Sequence, residues 1–380
     1  MKSIIYIANI RLPTEKAHGI QIMKMCEAIA DLGIAVELVV PRRLNKIKTD
    51  PFEYYSVKRN FKLKQLPFLD LIRFGRIGFW IQSVIFAELT FLFVLWRRLQ
   101  NKTVEFYTRE ELVAFHLQVF DIPVVWEAHT GKDNFLTHRL VRKGVKIVCI
   151  SKGIANFFKK LGAKEENILV AHDGVDLSLF ETKKGKREIR RELGLPEESK
   201  IVSYVGKYKT NADEKGVDGL IETFGLIDLK FLNSQLMLVG INEDEKEEVV
   251  KVVKRAGIDI NRVLIIGHVH LVQVSKYLMA SDILVMNYPD SYHYANFMSP
   301  LKLFEYMASG VPIVTSDLPS IREVVSDSEV YFFQPSNLYE LSDRITSLLK
   351  NSDISKKADR ALSEVRNFSW EKRAEKIVNF

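Results

Sequence analysis

Short apolar runs of β type alternate with helical patterns along all 380 residues. The first half offers Ser3–Ala8, Val36–Val40, Val104–Tyr107, Val124–Ala128, Lys146–Ile150 and Ile168–Ala171. The second half offers Ile201–Val205, Gln235–Val239, Val263–Ile266, Ile283–Met286, Ile313–Thr315 and Tyr331–Phe333. None alternates strictly, which predicts parallel strands buried on both faces. Helical patterns fill the gaps, such as IQIMKMCEAIADLG closing on Gly33 and KEEVVKVVKRAG closing on Gly257. Repeated βα units predict α/β architecture with doubly wound, Rossmann-like sheets, and the length suits two of them. The turn and Lys-rich stretch AHDGVDLSLFETKKGKRE predicts a boundary, with one domain over 1–178 and a second from 179. The final FSWEKRAEKIVNF reads as a helix that pattern alone does not place.

Charge narrows the partners. Residues 41–110 hold 14 basic and 6 acidic side chains, an excess of eight, whereas the rest is balanced at 41 against 42. The excess is interleaved with aromatic and aliphatic residues, as in VKRNFKLKQLPFLDLIRFGRIGFW, which suits an anionic membrane surface or lipid phosphates. No recognition motif for nucleic acid accompanies it, and none is expected as a partner. Within this region IGFWIQSVIFAELTFLFVLW (77–96) is long enough to span a bilayer. Gln82 and Glu88 near its middle favour a buried or surface-docked helix over a span. Cys26 and Cys149 sit among apolar neighbours without metal-ligand spacing, which predicts a reducing, cytoplasmic setting. The opening MKSIIYIANI reads as a first buried strand rather than a signal peptide.

Two such domains predict a cleft at the carboxyl ends of their strands, so residues just after strands carry the functional information. After Ile201–Val205 comes GKYKTNADEKGVDGLIETF, with Gly206, Lys207, Lys215 and Gly216. That is either a diphosphate cradle at a helix N-terminus or a solvated loop that also holds Lys209 and Asp213. After Ile283–Met286 comes NYPDSYHYANFM and then SPLKLFEYMASG, where Ser299 is the expected N-cap, Pro300 the first helical residue and Gly310 the stop. Glu305 falls at the margin of the apolar stripe. It is either an exposed i,i+3 partner of Lys302 or a carboxylate for two vicinal ribose hydroxyls. In the first half, His18–Gly19 stand where a βα loop meets a helix, and His129 in WEAHTG follows a strand directly. A lone histidine there is either a structural hydrogen-bonding residue or a cleft residue. Asp-x-Asp after a strand, HExxH, GxSxG and the Walker A loop are all missing, which removes support for metal-dependent transfer and serine hydrolysis.

The segment SPLKLFEYMASGVPIVTSDLPSIREVV, with YVGKYKTNADEKGVDGLIETF, CISKGIANFFKKLGAKEENILVAHDGVDLSLF and PVVWEAHTG, resembles retaining glycosyltransferases of the GT-B fold, family four, the group 1 type. The resemblance covers nearly the whole chain. It implies two Rossmann-like domains facing across a cleft. The acceptor would bind mainly over 1–178 and a nucleotide-sugar donor over 179–365, with 366–380 crossing back to the first domain. It places Lys207 and Lys215 on the donor diphosphate and Glu305, the second Glu of a Glu-x7-Glu motif, on the ribose. Val269 falls near the nucleobase. Gly19 and Gly206 line the donor, with amides of Phe297, Met298 and Ser299, and with Pro300 and Leu301 at the helix start. His18, Arg109 and His129 fall on the acceptor side, His129 near the transferred sugar. Phe297 stands where the motif's first Glu belongs, a departure that bears on donor identity.

The function so implied is a retaining, metal- and cofactor-independent hexosyl- or N-acetylhexosaminyltransferase. Its donor would be UDP-linked in preference to GDP-linked, and its acceptor a glycan or lipid-linked glycan in surface polysaccharide or glycolipid assembly. Front-face attack would have the leaving diphosphate take the acceptor proton, with His129, Lys207 and Lys215 as the catalytic residues. Peripheral attachment to the inner face of the cytoplasmic membrane follows from the basic region. The alternatives are a GT-B nucleotide-sugar epimerase, which needs several carboxylates for proton transfer, and a non-catalytic nucleotide-sugar-binding protein.

Overall fold

The computed structural model describes the chain except residues 1, 69, 72–73, 101–103, 211–212, 228–232 and 352–354. Part of the loop read as a diphosphate cradle and some of the basic region therefore lie outside the described residues. Two compact units form, Met1–Gly174 with Trp370–Phe380, and Val175–Ser369. The expected boundaries after 178 and 365 both shift. The reason is local: Val175 forms a parallel bridge with Ser369 and donates its N–H to the Phe368 carbonyl at 3.0 Å, so both ends already belong to the second unit.

The first unit holds a seven-stranded parallel sheet: β1 Ser3–Ile7, β2 Ala35–Pro41, β3 Lys62–Leu66, β4 Val104–Thr108, β5 Val125–Ala128, β6 Lys146–Cys149 and β7 Ile168–Val170. Their order is β3-β2-β1-β4-β5-β6-β7. Six were expected. β3 was not, because KLKQL is largely exposed and carries its lysines on an edge, where charge discourages further pairing. Helix Ala17–Asp31 follows β1 and ends near Gly33, whose φ of +80° suits the stop read from sequence. The C-terminal helix Trp370–Val378 packs against it.

The second unit has β8 Lys200–Val205, a small hairpin of β9 Lys209–Thr210 and β10 Asp213–Glu214, and then β11 Ser234–Val239, β12 Val263–Ile266, β13 Ile283–Met286, β14 Ile313–Ser316 and β15 Tyr331–Phe333. The six long strands are parallel, in the order β12-β11-β8-β13-β14-β15. Alternate residues of β8 feed two cores. Ile201 and Val205 join Leu303, Phe304 and Met307, while Val202 and Tyr204 join Leu220, Ile221 and Phe224. This is the burial on both faces that the unbroken apolar runs predicted.

Helix Leu301–Ala308 is held by its own pattern. Leu303, Phe304, Tyr306 and Met307 are fully buried, each contributing about 1.5–3 kcal/mol by removal from water. Its cap differs from expectation: Pro300 (φ −78°, ψ 112°) is the N-cap and Leu301 the first helical residue, one position later than predicted. Proline's restricted φ is met at either position, and the extended ψ decides which it takes.

Candidate functional site

In open parallel sheets ligands bind beyond the carboxyl ends of the strands, where strand order reverses. In the second unit that point lies between β8 and β13. Gly206 closes β8 with φ +151°, and Lys207 follows, its carbonyl accepting from the Tyr204 hydroxyl at 2.8 Å. The loop ends at Gly216, whose φ of +74° makes it the left-handed N-cap of helix Val217–Leu226. A Cβ there would overlap the Asn287 carbonyl oxygen, so glycine is required twice over. Asn287, just past β13, donates to the Gly216 carbonyl at 2.9 Å and ties the two loops across the reversal point.

The third part is helix Leu301–Ala308. No side chain caps its N-terminus and no acid stands in its first turn, an arrangement suited to an anion. Phe297, Met298, Ser299 and Pro300 leading into it are buried, and Leu301 is half-buried. Phe297 packs edge-on against Tyr292, with ring centroids 5.3 Å apart. The departure noted in the sequence is thus filled by an aromatic cluster rather than by another carboxylate.

Lys302 is the residue that sequence reasoning missed as part of this site. Spacing made it the surface partner of Glu305, yet among the described residues no ion pair joins them. Its Nζ donates to the Tyr204 hydroxyl at 2.5 Å and lies over two rings, 3.9 Å from the Tyr204 centroid and 5.2 Å from that of Tyr288. The same side chain crosses Gly206, where a Cβ would meet its Cε at 2.5 Å. Burial, then the neighbouring charge of Lys215, depress the Lys302 ammonium well below its ordinary value, against a partial pull from Glu305. Burial likewise pushes the Glu305 carboxyl up to about 7, with Lys302 opposing. The site thus gathers Lys215, Lys302 and Glu305 beside an uncapped helix end.

Other candidates fall less centrally. Lys209 pairs with Glu248 at 2.5 Å, so the solvated-loop reading holds for that lysine. Val269 is half-buried in the loop after β12 and packs against the larger core.

The first unit has its own reversal point, between β1 and β4. His18 and Gly19 occupy the first turn of helix Ala17–Asp31, and a Cβ on Gly19 would overlap the Tyr55 hydroxyl. Arg109, after β4, donates to the His18 carbonyl at 3.5 Å and to the Gln21 side-chain oxygen. Gln21 donates to Glu127 Oε1 at 2.7 Å and to Asp173 Oδ1 at 2.8 Å. His129 Nε2 sits 2.6 Å from the same Glu127 oxygen, while the Tyr107 hydroxyl donates to Oε2 and Arg373 Nη2 lies 3.3 Å from it. His18, Arg109 and His129 are thus brought into one network.

Its fully buried centre, Glu127, was not singled out from sequence. Burial alone would raise the Glu127 carboxyl, but Arg373 and then His129 outweigh it and hold it well below the ordinary range. Burial and the Arg109 charge push His129 below its usual value against the pull of Glu127. A neutral imidazole with its Nε2 proton on Glu127 leaves Nδ1 as an acceptor, and Nδ1 makes no hydrogen bond among the described residues.

Residues 185–366 match the family model described as glycosyl transferases group 1. TuaC of Bacillus subtilis, a glycosyltransferase assigned to teichuronic acid biosynthesis, is 24% identical over 236 residues, 59% of this chain and 54% of its own. Phosphatidyl-myo-inositol mannosyltransferase of Mycobacterium leprae is 26% identical over 159 residues, 42% of this chain and 39% of its own. The chain spans about half the length of the first of these relatives, and less of the second. Among solved structures, Anabaena HepE in complex with UDP-glucose superposes with a TM-score of 0.73 at 14% identity, over 100% of this chain and 99% of that one. The likeness is one of fold, and the fold is GT-B, as the sequence motifs implied.

Proposed function

We propose that this chain, whose residues 185–366 match the family model described as glycosyl transferases group 1, moves a sugar from a nucleoside-diphosphate donor to a glycan or lipid-linked acceptor. Surface polysaccharide or glycolipid assembly is the setting. The observation that carries this reading is the meeting of Lys215, Lys302 and Glu305 at the uncapped start of helix Leu301–Ala308. Two lysine amines at an uncapped helix start suit a diphosphate, and a carboxylate on the next helical turn suits vicinal ribose hydroxyls. UDP is favoured over GDP because HepE, of like fold, was solved with UDP-glucose.

The proposed reaction retains anomeric configuration. The acceptor oxygen attacks C1 from the face of the leaving group, the C1–O bond to the diphosphate breaks, and a diphosphate oxygen takes the acceptor proton. Lys207, Lys215 and Lys302 stabilise the charge that develops there, which makes a metal ion unnecessary. Turnover should therefore survive EDTA. His129, neutral and oriented by Glu127, accepts a hydrogen bond from a hydroxyl of the sugar or acceptor. Peripheral attachment to the inner face of the cytoplasmic membrane brings a lipid-linked acceptor within reach, supported by the local excess of eight positive charges. The epimerase alternative is weaker because Glu127, the most central carboxylate, is saturated by donors and held ionised, unsuited to shuttling a proton.

The test combines a thermal-shift panel of UDP, GDP, ADP and CMP with hydrolysis of UDP- and GDP-sugars. Binding of one diphosphate with slow hydrolysis or transfer supports the proposal. Isomerised sugar would favour the epimerase, and binding without any turnover a non-catalytic protein. Lys215→Ala and Glu305→Ala should each weaken nucleotide binding roughly tenfold or more with the fold intact. Unchanged affinity in both would sink the site.

A further inference from the structure

Helix Gly75–Gln100, 26 residues with a mean hydropathy of 1.8 over its most apolar window, has two unlike faces. Gly78, Gln82, Phe86, Thr90 and Val94 are buried. Phe86 packs edge-on with Phe68 at 6.0 Å, Gln82 accepts the Leu71 N–H at 3.3 Å and Arg97 pairs with Glu37 on β2 at 3.1 Å. The opposite face is open to solvent. Ile77, Ile81, Val84, Leu95 and Leu99 recur there at helical spacing, with Trp80 and Trp96 beside them, and their exposures run from 39% to 88%. Isolated exposed leucines are ordinary, but a continuous stripe of this size on one helix marks an interaction surface.

We propose that this outward stripe is a bilayer-docking surface, with the helix lying in the plane of an anionic lipid interface. Charge decides the occupant. Arg76 and Arg98 flank the stripe, and Lys62 and Lys64 stand on the edge strand β3 just before it; all four are exposed and make no ion pair among the described residues. A second copy of the chain would set one strongly basic surface against another, whereas anionic headgroups neutralise it. Tryptophan beside arginine is also the composition of helices that rest at the headgroup boundary. One acid interrupts the stripe: Glu88, turned to His116 Nε2 at 3.3 Å. Roughly 39 Å of helix would suffice to cross the hydrocarbon. Crossing, however, would strip the packed face, Gln82 and Arg97 included, from the first unit. The inference deepens the membrane part of the proposed function and rests on it only for purpose.

The four tryptophans supply the test, because Trp126 and Trp370 are buried and only Trp80 and Trp96 are exposed. The whole protein is mixed with phosphatidylcholine vesicles with or without phosphatidylglycerol, some carrying brominated acyl chains at shallow or deep positions. The expected result is association only when phosphatidylglycerol is present, with Trp80 and Trp96 quenched to a similar shallow depth. Trp80→Ser and Trp96→Ser should each remove its share of the quenching. Replacing Arg76 and Arg98 by Gln should weaken association about tenfold or more at low salt. Absence of quenching would overturn the proposal. So would one tryptophan deep and the other shallow, or a lipid-independent dimer dissolved by Ile77→Glu. Hydrolysis of a UDP-sugar, which needs no membrane, is followed in the same variants. Docking lost with hydrolysis intact is the expected signature of the variants, and docking retained without hydrolysis would count against the transferase reading alone.

Discussion

Lys302 and Glu305 show how far burial moves a charge at the scale of one residue. Glu305 carries a carboxyl raised from its ordinary 4.5 to about 7, so the folded protein keeps that proton where the unfolded chain has released it. The stabilisation this gives is complete below the unfolded value and is lost as pH rises through the folded one. In the absence of nucleotide, Glu305→Gln should flatten the fall of Tm between about pH 4.5 and 7; a fall as steep as in the parent would assign it to another group. Lys302 is shifted the other way, by burial and by Lys215, and a diphosphate placed beside both amines should restore its charge. UDP binding at a pH between the depressed and the ordinary lysine value is therefore expected to take up protons, read as a binding heat that depends on the buffer's own ionisation heat. Lys302→Met should abolish the dependence. The sequence placed Lys302 near Glu305 correctly, but spacing cannot show a flexible stem turning away to an aromatic face.

Elements carry the next level of the argument. Tyr306, on the helix that presents Glu305, accepts the Val205 N–H at 2.9 Å and donates to the Val205 carbonyl at 3.3 Å, locking the helix to the end of β8. Tyr306→Phe leaves a buried backbone group unpaired and should cost about 1–3 kcal/mol in chemical denaturation, with nucleotide affinity falling alongside. Gly216→Ala, forced at positive φ against the Asn287 carbonyl, should cost at least about 1–3 kcal/mol. Twelve strands were legible because burial on both faces demands continuous apolar runs. β3 was not, since an edge strand with alternate lysines looks like a charged loop, and the hairpin β9–β10 is too short to carry a period. The cap shifted by a residue because Ser-Pro fits either of two neighbouring frames. Glu127, Gln21, Asp173 and Arg373 escaped for another reason: their partners are far apart in sequence, and only the topology brings them together.

For the whole molecule, the C-terminal helix matters most. Arg373 is buried in the first unit, with Nη2 3.3 Å from Glu127 and Nε donating to the His172 carbonyl at 2.9 Å. Arg373→Met would leave Glu127 ionised without its main counter-charge, a loss of about 3–5 kcal/mol confined to the first unit's unfolding transition. Glu127→Gln in the same chain should recover part of it, and a double-mutant cycle showing no coupling would reject the pairing. The helix also sets an order of events during synthesis. The ribosome delivers the anion of this pair before the second unit and its cation after it. A nascent first unit therefore holds its central carboxylate without the Arg373 counter-charge while the second unit is being made, and it consolidates fully only once Trp370–Val378 has emerged and docked.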